Sequence, residues 1–114
     1  MSLTIGVWAQ PVDQAGLDFV IEAERLGVDS VWVPEFWGYD ALAPIAAAAA
    51  VTDRIRLASG IVQLGTRTPA MLAMTALSLQ RISEGRFILG LGTSGPQVME
   101  GWHGVPFAKP VRRT

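Results

Sequence analysis

The sequence predicts a single α/β domain built on parallel strands. Short apolar runs alternate regularly with longer segments that carry helix start and stop signals. One run, Ser30 to Val33 (SVWV), is apolar on both faces, as expected for a parallel strand that is covered on two sides. Repeated strand-helix units are joined by right-handed crossovers into a parallel sheet. The chain has 114 residues, 50% of them hydrophobic, which is enough for one core and therefore for one domain, residues 1–114.

The first two strand-helix units are punctuated by capping residues. The first strand is predicted over Thr4 to Trp8; Asp13 offers a cap to the following helix, and Gly27 ends it. After the strand SVWV, Asp40 can cap a second helix, Ala41 to Val51, whose five consecutive alanines let it lie close to a sheet. The first helix is expected to turn four apolar side chains toward one side: Phe19, Val20, Ala23 and Leu26.

The third and fourth strands follow the same pattern. Ile55 to Val62 is predicted as the third strand, and Thr68 followed by Pro69 opens a third helix that runs to about Ile82. Phe87 to Leu91 is the predicted fourth strand. Residues 1–95 are therefore strand-helix repeats, about four parallel strands with three helices, and residues 96–114 form a loop tail rich in turn formers.

Two architectures fit this order of elements. One is an open doubly wound sheet, and the other is half of a closed eight-stranded barrel. A complete barrel takes about 250 residues, so four strands in roughly ninety residues have the spacing of a barrel with half the circle missing. The tail offers no second half.

A glycine motif, G-x-G-x-x-G from Gly90 to Gly95, lies at the end of the fourth strand. It has three readings: a dinucleotide-binding loop, glycines that let the strand end and turn, or a loop that approaches a ligand with its backbone at the carboxyl end of a barrel strand. The motif follows the fourth strand and not the first, Pro96 comes directly after it, and no acidic ribose partner follows. These features favour the third reading.

Composition limits the function classes. A formal charge of −1 indicates neither nucleic acid nor an anionic membrane as a partner. Without cysteine and with the single histidine His103, no disulfide framework, thiolate nucleophile or metal site is expected. The N-terminus has no signal-peptide pattern and no apolar run approaches about 20 residues, so a cytoplasmic location is predicted.

Four segments together carry a family resemblance: residues 23–35, 55–62, 67–79 and above all 83–107, SEGRFILGLGTSGPQVMEGWHGVPF. They resemble the luciferase-like monooxygenase superfamily, and within it the branch of deazaflavin-dependent oxidoreductases that use coenzyme F-420. The resemblance covers nearly the whole chain, and the last segment is its most specific part. It implies the N-terminal half of a (β/α)8 TIM-type barrel, with a flavin-like ring across the carboxyl ends of the strands.

The resemblance also implies where the coenzyme binds. Similar proteins have a non-prolyl cis peptide at the end of the third strand that presses against the central ring, and this position maps to Gly60 and Ile61. On the residues alone, Ser59-Gly60 could equally be an ordinary bulge or strand end. Thr93, Ser94 and Gly95 are similar to residues that contact the deazaflavin head or its side chain. Coenzyme F-420 is the implied cofactor, with FMN as the second choice.

Glu35 resembles the acidic position near the ring in this family, and a catalytic role is implied for it. Sugar-phosphate-oxidising members have a histidine base at the next position, where this sequence has Phe36. The departure favours hydride delivery to an acceptor, or a monooxygenase-type reaction, over alcohol oxidation. Phe36 and Trp37 either line an apolar substrate pocket or cap the barrel core. No role is assigned to His103.

The expected function is hydride transfer between reduced coenzyme and a small organic substrate by a flavin- or deazaflavin-dependent oxidoreductase. The chain is expected to be an N-terminal portion that is inactive by itself. Its first and fourth strands are open edges, so a homo-oligomer or other self-association is expected. Two alternatives stay open: a nucleotide-binding module on an open α/β sheet, and a non-catalytic fragment that survives by self-association.

Overall fold

The computed structural model describes residues 2–114, which form six strand segments and five helices. The strands are β1 (Gly6–Trp8), β2 (Ser30–Val33), β3 (Arg56–Ser59), β4 (Val62–Gln63), β5 (Phe87–Ile88) and β6 (Leu91–Gly92). The helices are α1 (Gln14–Arg25), α2 (Leu42–Ala50), α3 (Pro69–Ile82), α4 (Pro96–Met99) and α5 (Pro110–Arg113).

The order of the strands decides between the two architectures. The main sheet has the order β1-β2-β3-β5, β4 pairs with β6, and every pair is parallel. Successive strand-helix units therefore lie side by side in chain order. A doubly wound sheet reverses its order at a switch point, where it binds its nucleotide. This sheet has no such reversal within residues 2–114, so the barrel-type prediction is confirmed and the open nucleotide-binding sheet is wrong.

The predicted third and fourth strands are each broken into two segments, and the two breaks lie beside each other in the sheet. β3 and β4 are separated by Gly60 and Ile61, whose peptide bond is cis. In the gap between β5 and β6, the backbone N–H of Gly90 donates to Ser59 Oγ at 2.9 Å, and that hydroxyl donates to the Gly90 carbonyl at 2.9 Å. A Cβ on Gly90 would lie 2.1 Å from the carbonyl oxygen of Ser59. Only glycine allows this approach.

The core lies between the sheet and the three long helices. The alanine-rich helix α2 packs closely against the sheet through Ile45, Ala48 and Ala49, as its small side chains predicted. Half of the remaining core comes from β2, β3, α3 and β5: Val31, Val33, Leu57, Leu72, Leu79 and Phe87.

Helix α1 turns only part of the predicted face to the core. Val20 and Ala23 are buried, but Phe19 is 50% and Leu26 67% exposed. With about 100° per residue, Phe19 and Leu26 lie about 100° and 120° around the helix axis from Val20, on the side away from the partly buried Leu17 and beyond the edge of the buried stripe.

The predicted helix ends are confirmed. Asp13 Oδ1 accepts from the N–H of Gly16 at 2.8 Å, and Thr68 Oγ1 accepts from that of Met71 at 3.2 Å. Asp40 Oδ2 accepts from the N–H groups of Leu42 and Ala43, both at 3.0 Å. Gly27 and Gly85 follow α1 and α3 with φ of 83° and 85°, the left-handed conformation that favours glycine.

The segment predicted as a loop tail contains two four-residue helices. Pro96 and Pro110 are the first residues of α4 and α5, where a missing N–H costs least. Pro96 therefore opens a helix directly after the glycine motif, where the sequence predicted a loop.

The sheet face opposite the helices is open. Registered neighbours Trp8, Trp32, Ala58 and Ile88 lie across it. Trp8 is 62% exposed, and the outer edges of β1 and β5 have no strand partner within residues 2–114. No helix in this part of the chain is both long and apolar enough to cross a membrane.

Candidate functional site

The segments that follow β2, β4 and β6 meet at one rim. Because the strands are parallel, their carboxyl ends lie at the same edge of the sheet. The side chain of Glu35, two residues past β2, accepts from the backbone N–H of Gln63 in β4 at 3.2 Å. Gln63 is in turn registered with Gly92 in β6. The strand ends near residues 35, 60 and 92 therefore face one region, as the sequence predicted.

Glu35 is the best-connected side chain of this rim. It is buried, with 7% of its surface exposed, and its carboxylate accepts four hydrogen bonds. Arg67 donates from Nη1 to Oε1 at 2.8 Å and from Nη2 to Oε2 at 2.9 Å. The backbone N–H of Ala41 donates to Oε2 at 3.0 Å, and that of Gln63 completes the set. Glu35 thus joins the segment between β2 and α2 to Gln63 and Arg67, which are 28 and 32 positions further along the chain.

These contacts decide the charge state of Glu35. Burial by itself raises the pKa of the carboxyl group, but the hydrogen bonds from Arg67, Ala41 and Gln63 outweigh it and hold the pKa below its ordinary value. The hydrogen bond to Glu35 raises the pKa of Arg67. A general base needs a lone pair within reach of the substrate proton, and here both oxygens already have two donors each. The contacts give Glu35 a positioning role, and its implied catalytic role stays a prediction.

The side chain of Gln63 also holds the loop that carries Glu35. Its side chain is buried, and Nε2 donates to the carbonyl oxygens of Glu35 at 2.9 Å and Phe36 at 3.3 Å. Its Oε1 is buried without a hydrogen-bond partner among the described residues. The backbone of the loop after β2 is therefore held at its second and third residues.

A pocket of about 230 Å³ opens beside the ion pair of Glu35 and Arg67. Its aromatic lining residues are largely exposed: Phe36 at 57%, Tyr39 at 59% and Trp102 at 58%. Trp37, 54% exposed, meets Trp102 edge to face with ring centres 5.9 Å apart and planes at 77°. Neither Phe36 nor Trp37 belongs to the hydrophobic core formed within residues 2–114, and whether they line a substrate pocket or cap the barrel core stays a prediction. The remaining lining residues are Gly38, Asp40, Thr66 and His103.

The residues predicted to bind the coenzyme lie together, outside the lining of this pocket. Gly60 and Ile61 are half-buried between β3 and β4, and residues 93–95 follow β6 directly. Ile61 packs on Gly92, where an added Cβ would lie 2.9 Å from Cγ1 of the isoleucine. The structure therefore brings residues 60–61 and 93–95 to neighbouring positions, although their role as ligand contacts stays a prediction.

Several residues of the pocket were missed by sequence reasoning. Tyr39, Thr66, Arg67 and Trp102 were not assigned to it, and Asp40 was seen only as a helix cap. A signal for Arg67 was present, because a buried carboxylate requires a cation or several donors, and Arg67 is the first basic residue after the third strand. Within residues 2–114, no cluster of three or more His, Asp or Glu side chains could hold a metal ion.

Comparison with known proteins decides the family. The family model described as luciferase-like monooxygenase matches residues 5–114. The chain belongs to the luciferase-like monooxygenase family. It is 46% identical over its whole length to a Mycobacterium tuberculosis protein whose name assigns it provisionally to the coenzyme F-420-dependent oxidoreductases. The chain covers 33% of that relative, so it spans about a third of the length of the curated proteins it matches.

Solved structures of the family have the same fold over nearly all of this chain. The coenzyme F-420-dependent tetrahydromethanopterin reductase from Methanopyrus kandleri matches 94% of the chain with a TM-score of 0.79 and 28% identity, over 31% of its own length. The oxygenating constituent of 3,6-diketocamphane monooxygenase from Pseudomonas putida, solved in complex with FMN, matches 90% with a TM-score of 0.74 and 28% identity, over 33% of its length. This family's TIM-type barrel is thus represented here by its first strands and helices.

Proposed function

We propose that this chain forms the N-terminal part of a coenzyme F-420-dependent oxidoreductase that transfers a hydride between the reduced coenzyme and a small organic substrate. The observation that carries the proposal is the pairing of β4 with β6, which sets residues 60–61 beside residues 93–95 at the carboxyl edge. The relative with 46% identity supports coenzyme F-420. The FMN complex of a solved relative supports FMN as the second choice.

The residues at this edge fit a flat ring system. Gly60 and Ile61 are partly exposed, and a Cβ on Gly60 would lie 3.3 Å from the ring of Trp32 and 3.7 Å from that of Trp8. Glycine at position 92 leaves room for the side chain of Ile61. The surface at this level is formed by backbone, isoleucine and indole, and planar rings bind well to such apolar surfaces.

In this proposal the chain supplies position and environment. When bound, the coenzyme supplies the hydride chemistry. Ile61 offers an apolar contact to one face of the ring, and the backbone of residues 93–95 offers polar contacts at its margin. Phe36 carries no proton-accepting atom, so a substrate alcohol has no base at that position. This supports delivery of hydride to an acceptor as the direction of the reaction.

We also propose that the 114-residue chain by itself binds coenzyme weakly and turns over little or no substrate. It contains the carboxyl ends of four barrel strands, whereas sites of this fold use loops from strands all around the barrel. Phosphate groups in such barrels are frequently held after strands seven and eight. We therefore expect the chain to lose affinity for the coenzyme first, and the loss of turnover to follow from that.

A titration with three ligands tests the proposal. Coenzyme F-420, FMN and NADP are added separately while absorbance and fluorescence are followed. We expect F-420 to bind more tightly than FMN and NADP not to bind. Binding of NADP alone would contradict the proposal, and no binding of any ligand at millimolar concentration would support a non-catalytic fragment.

Paired variants localise any binding that is seen. Ile61→Ala removes the apolar contact and is expected to weaken F-420 binding at least about fivefold, since a buried side chain contributes about 1.5–3 kcal/mol. Ile21→Ala removes an isoleucine that is 40% exposed on α1 and should leave binding unchanged. Circular dichroism shows whether each variant is folded. Equal affinity in the folded Ile61→Ala variant would exclude the assigned ring position.

A further inference from the structure

We infer that the pocket of about 230 Å³ beside Glu35 and Arg67 binds a small, flat, aromatic substrate that carries no negative charge. The inference rests on the proposed function, because it names the substrate class of that oxidoreductase. The pocket is lined by none of the residues 60, 61 and 93–95, so substrate and coenzyme would occupy adjacent places on one rim.

The walls of the pocket favour a planar aromatic molecule. Phe36, Tyr39 and Trp102 each leave more than half of their surface uncovered. Trp37 packs edge to face against Trp102 at an interplanar angle of 77°, which adds a second indole ring beside the pocket wall. Ligand pockets for drug-sized molecules are about 300–1,000 Å³, so this volume suits a ligand of one or two rings.

The floor of the pocket has a net negative charge. Glu35 and Asp40 contribute two carboxylates, and Arg67 contributes one guanidinium, which gives −2 + 1 = −1 with His103 counted as neutral. Arg67 Nη2 lies 2.9 Å from Glu35 Oε2 and 3.8 Å from Asp40 Oδ2. An anionic substrate would meet an excess of negative charge in a partly desolvated place.

The geometry of Arg67 points to the same selectivity. Phosphates and carboxylates are gripped by arginine through two parallel N–H groups. Here Nη1 donates to Glu35 at 2.8 Å and to Thr66 Oγ1 at 3.3 Å, and Nη2 donates to Glu35. The end-on pair of donors, Nη1 and Nη2, is therefore committed to the protein's own carboxylate, and a sugar phosphate that approached the remaining N–H groups would lie beside the carboxylates of Glu35 and Asp40. Aromatic walls over this floor select neutral or cationic planar molecules.

A charge series of naphthalene probes tests the inference at pH 7. The probes are 2-naphthylmethanol, 2-naphthylmethylamine and 2-naphthoate, which share one ring system and are neutral, cationic and anionic. The readout is the set of indole N–H signals of Trp8, Trp32, Trp37 and Trp102 in a proton–nitrogen correlation spectrum. We expect the neutral and cationic probes to shift the signals of Trp37 and Trp102, and naphthoate to require at least about tenfold higher concentration.

Two pairs of variants separate the walls from the floor. Trp102→Ala should weaken naphthylmethanol binding at least about fivefold, whereas Phe19→Ala, an equally exposed aromatic on α1, should not change it. Asp40→Asn makes the floor neutral and should tighten naphthoate binding about threefold, by one screened charge interaction. Asparagine can still accept from the N–H groups that Asp40 caps. Asp18→Asn, on the exposed face of α1, should leave all three affinities unchanged.

Each outcome supports or overturns the inference. Naphthoate that binds as tightly as naphthylmethanol overturns the charge selectivity, and shifts confined to Trp8 and Trp32 place the probe on the open sheet face instead. No shift from any probe overturns the pocket itself. All titrations are done without coenzyme, so failure of the pocket and failure of F-420 binding are seen in separate experiments.

Discussion

The guanidinium of Arg67 meets the carboxylate of Glu35 through two parallel hydrogen bonds of 2.8 and 2.9 Å. The pair joins the segment after β2 to the segment after β4 across 32 positions of sequence. The same carboxylate accepts from Ala41, at the start of α2, and from Gln63. One buried ion pair therefore sets the positions of the loops that border both the proposed ring surface and the aromatic pocket.

Loss of the Glu35 charge should destabilise the fold. Glu35→Gln keeps the shape of the side chain but leaves the largely buried Arg67 without its anion and places an amide NH₂ against donors. Breaking a buried pair costs about 3–5 kcal/mol, and we expect a loss of about 3 kcal/mol in the free energy of unfolding, measured by urea denaturation. Glu22→Gln is the matched control, because Glu22 also pairs with an arginine, Arg25, but the side chains of Glu22 and Arg25 are 53% and 67% exposed. An exposed ion pair contributes little to stability. A similar loss in both variants would contradict the role given to Glu35.

Stability should fall at acid pH through Glu35 and Glu24. Burial raises the pKa of Glu24, but hydrogen bonds from the backbone N–H groups of Ile55, Arg54 and Asp53 outweigh this effect and lower the pKa below its ordinary value of 4.5. The pKa of Glu35 is lowered from the same value by its own hydrogen bonds. A carboxyl group whose pKa is lower in the folded state than in the unfolded state stabilises the fold fully at a pH above its unfolded-state pKa, here about 4.5. This contribution is lost as the pH falls through the lower folded-state pKa. Urea midpoints between pH 7 and pH 3 measure this slope. Glu35→Gln should flatten it, and an unchanged slope would exclude Glu35 as a source.

Two glycines of the G-x-G-x-x-G motif should respond differently to alanine. Gly90→Ala forces a Cβ to 2.1 Å from the Ser59 carbonyl oxygen, and we expect a loss of about 3 kcal/mol or failure to fold. At Gly95 φ is −128°, and the nearest atom to an added Cβ is Oε1 of Gln97 at 3.0 Å, the mobile end of a side chain. Gly95→Ala should therefore fold normally and weaken only coenzyme binding. Thermal melts of both variants measure the difference, and equal melting temperatures would contradict the close approach of Gly90 to the carbonyl oxygen of Ser59.

The open sheet should drive self-association. Trp8 is 62% exposed on the uncovered face, and the outer edges of β1 and β5 have no strand partner among the described residues. Sedimentation velocity should show dimers or larger species. Trp8→Lys should reduce the fraction of these species, whereas Phe19→Lys, at an exposed position of helix α1, should not. A monomer with a sharp thermal transition would contradict this proposal.

Much of the fold could be predicted because it depends on local patterns. The caps at Asp13, Asp40 and Thr68 and the glycine stops at Gly27 and Gly85 each depend on a few neighbouring residues, and all were confirmed. The resemblance placed the break in the third strand at Gly60 and Ile61, and the structure has a cis peptide there. The break in the fourth strand could not be predicted from a pattern, because it depends on contact between Ser59 and Gly90, which are 31 positions apart. For the same reason the sequence did not identify Arg67 as the partner of Glu35.

The sequence alone determined the repeating strand-helix order, the parallel sheet and the family to which the chain belongs. These properties follow from side-chain periodicity, capping and an extended match in residue order. Tertiary structure alone decided that Glu35 is an anchor with all its acceptors in use, and that Trp102 joins Phe36 and Tyr39 around one pocket. Such relationships arise only when parallel strands bring distant loops to one rim, where burial and partner choice fix the charge and direction of each side chain.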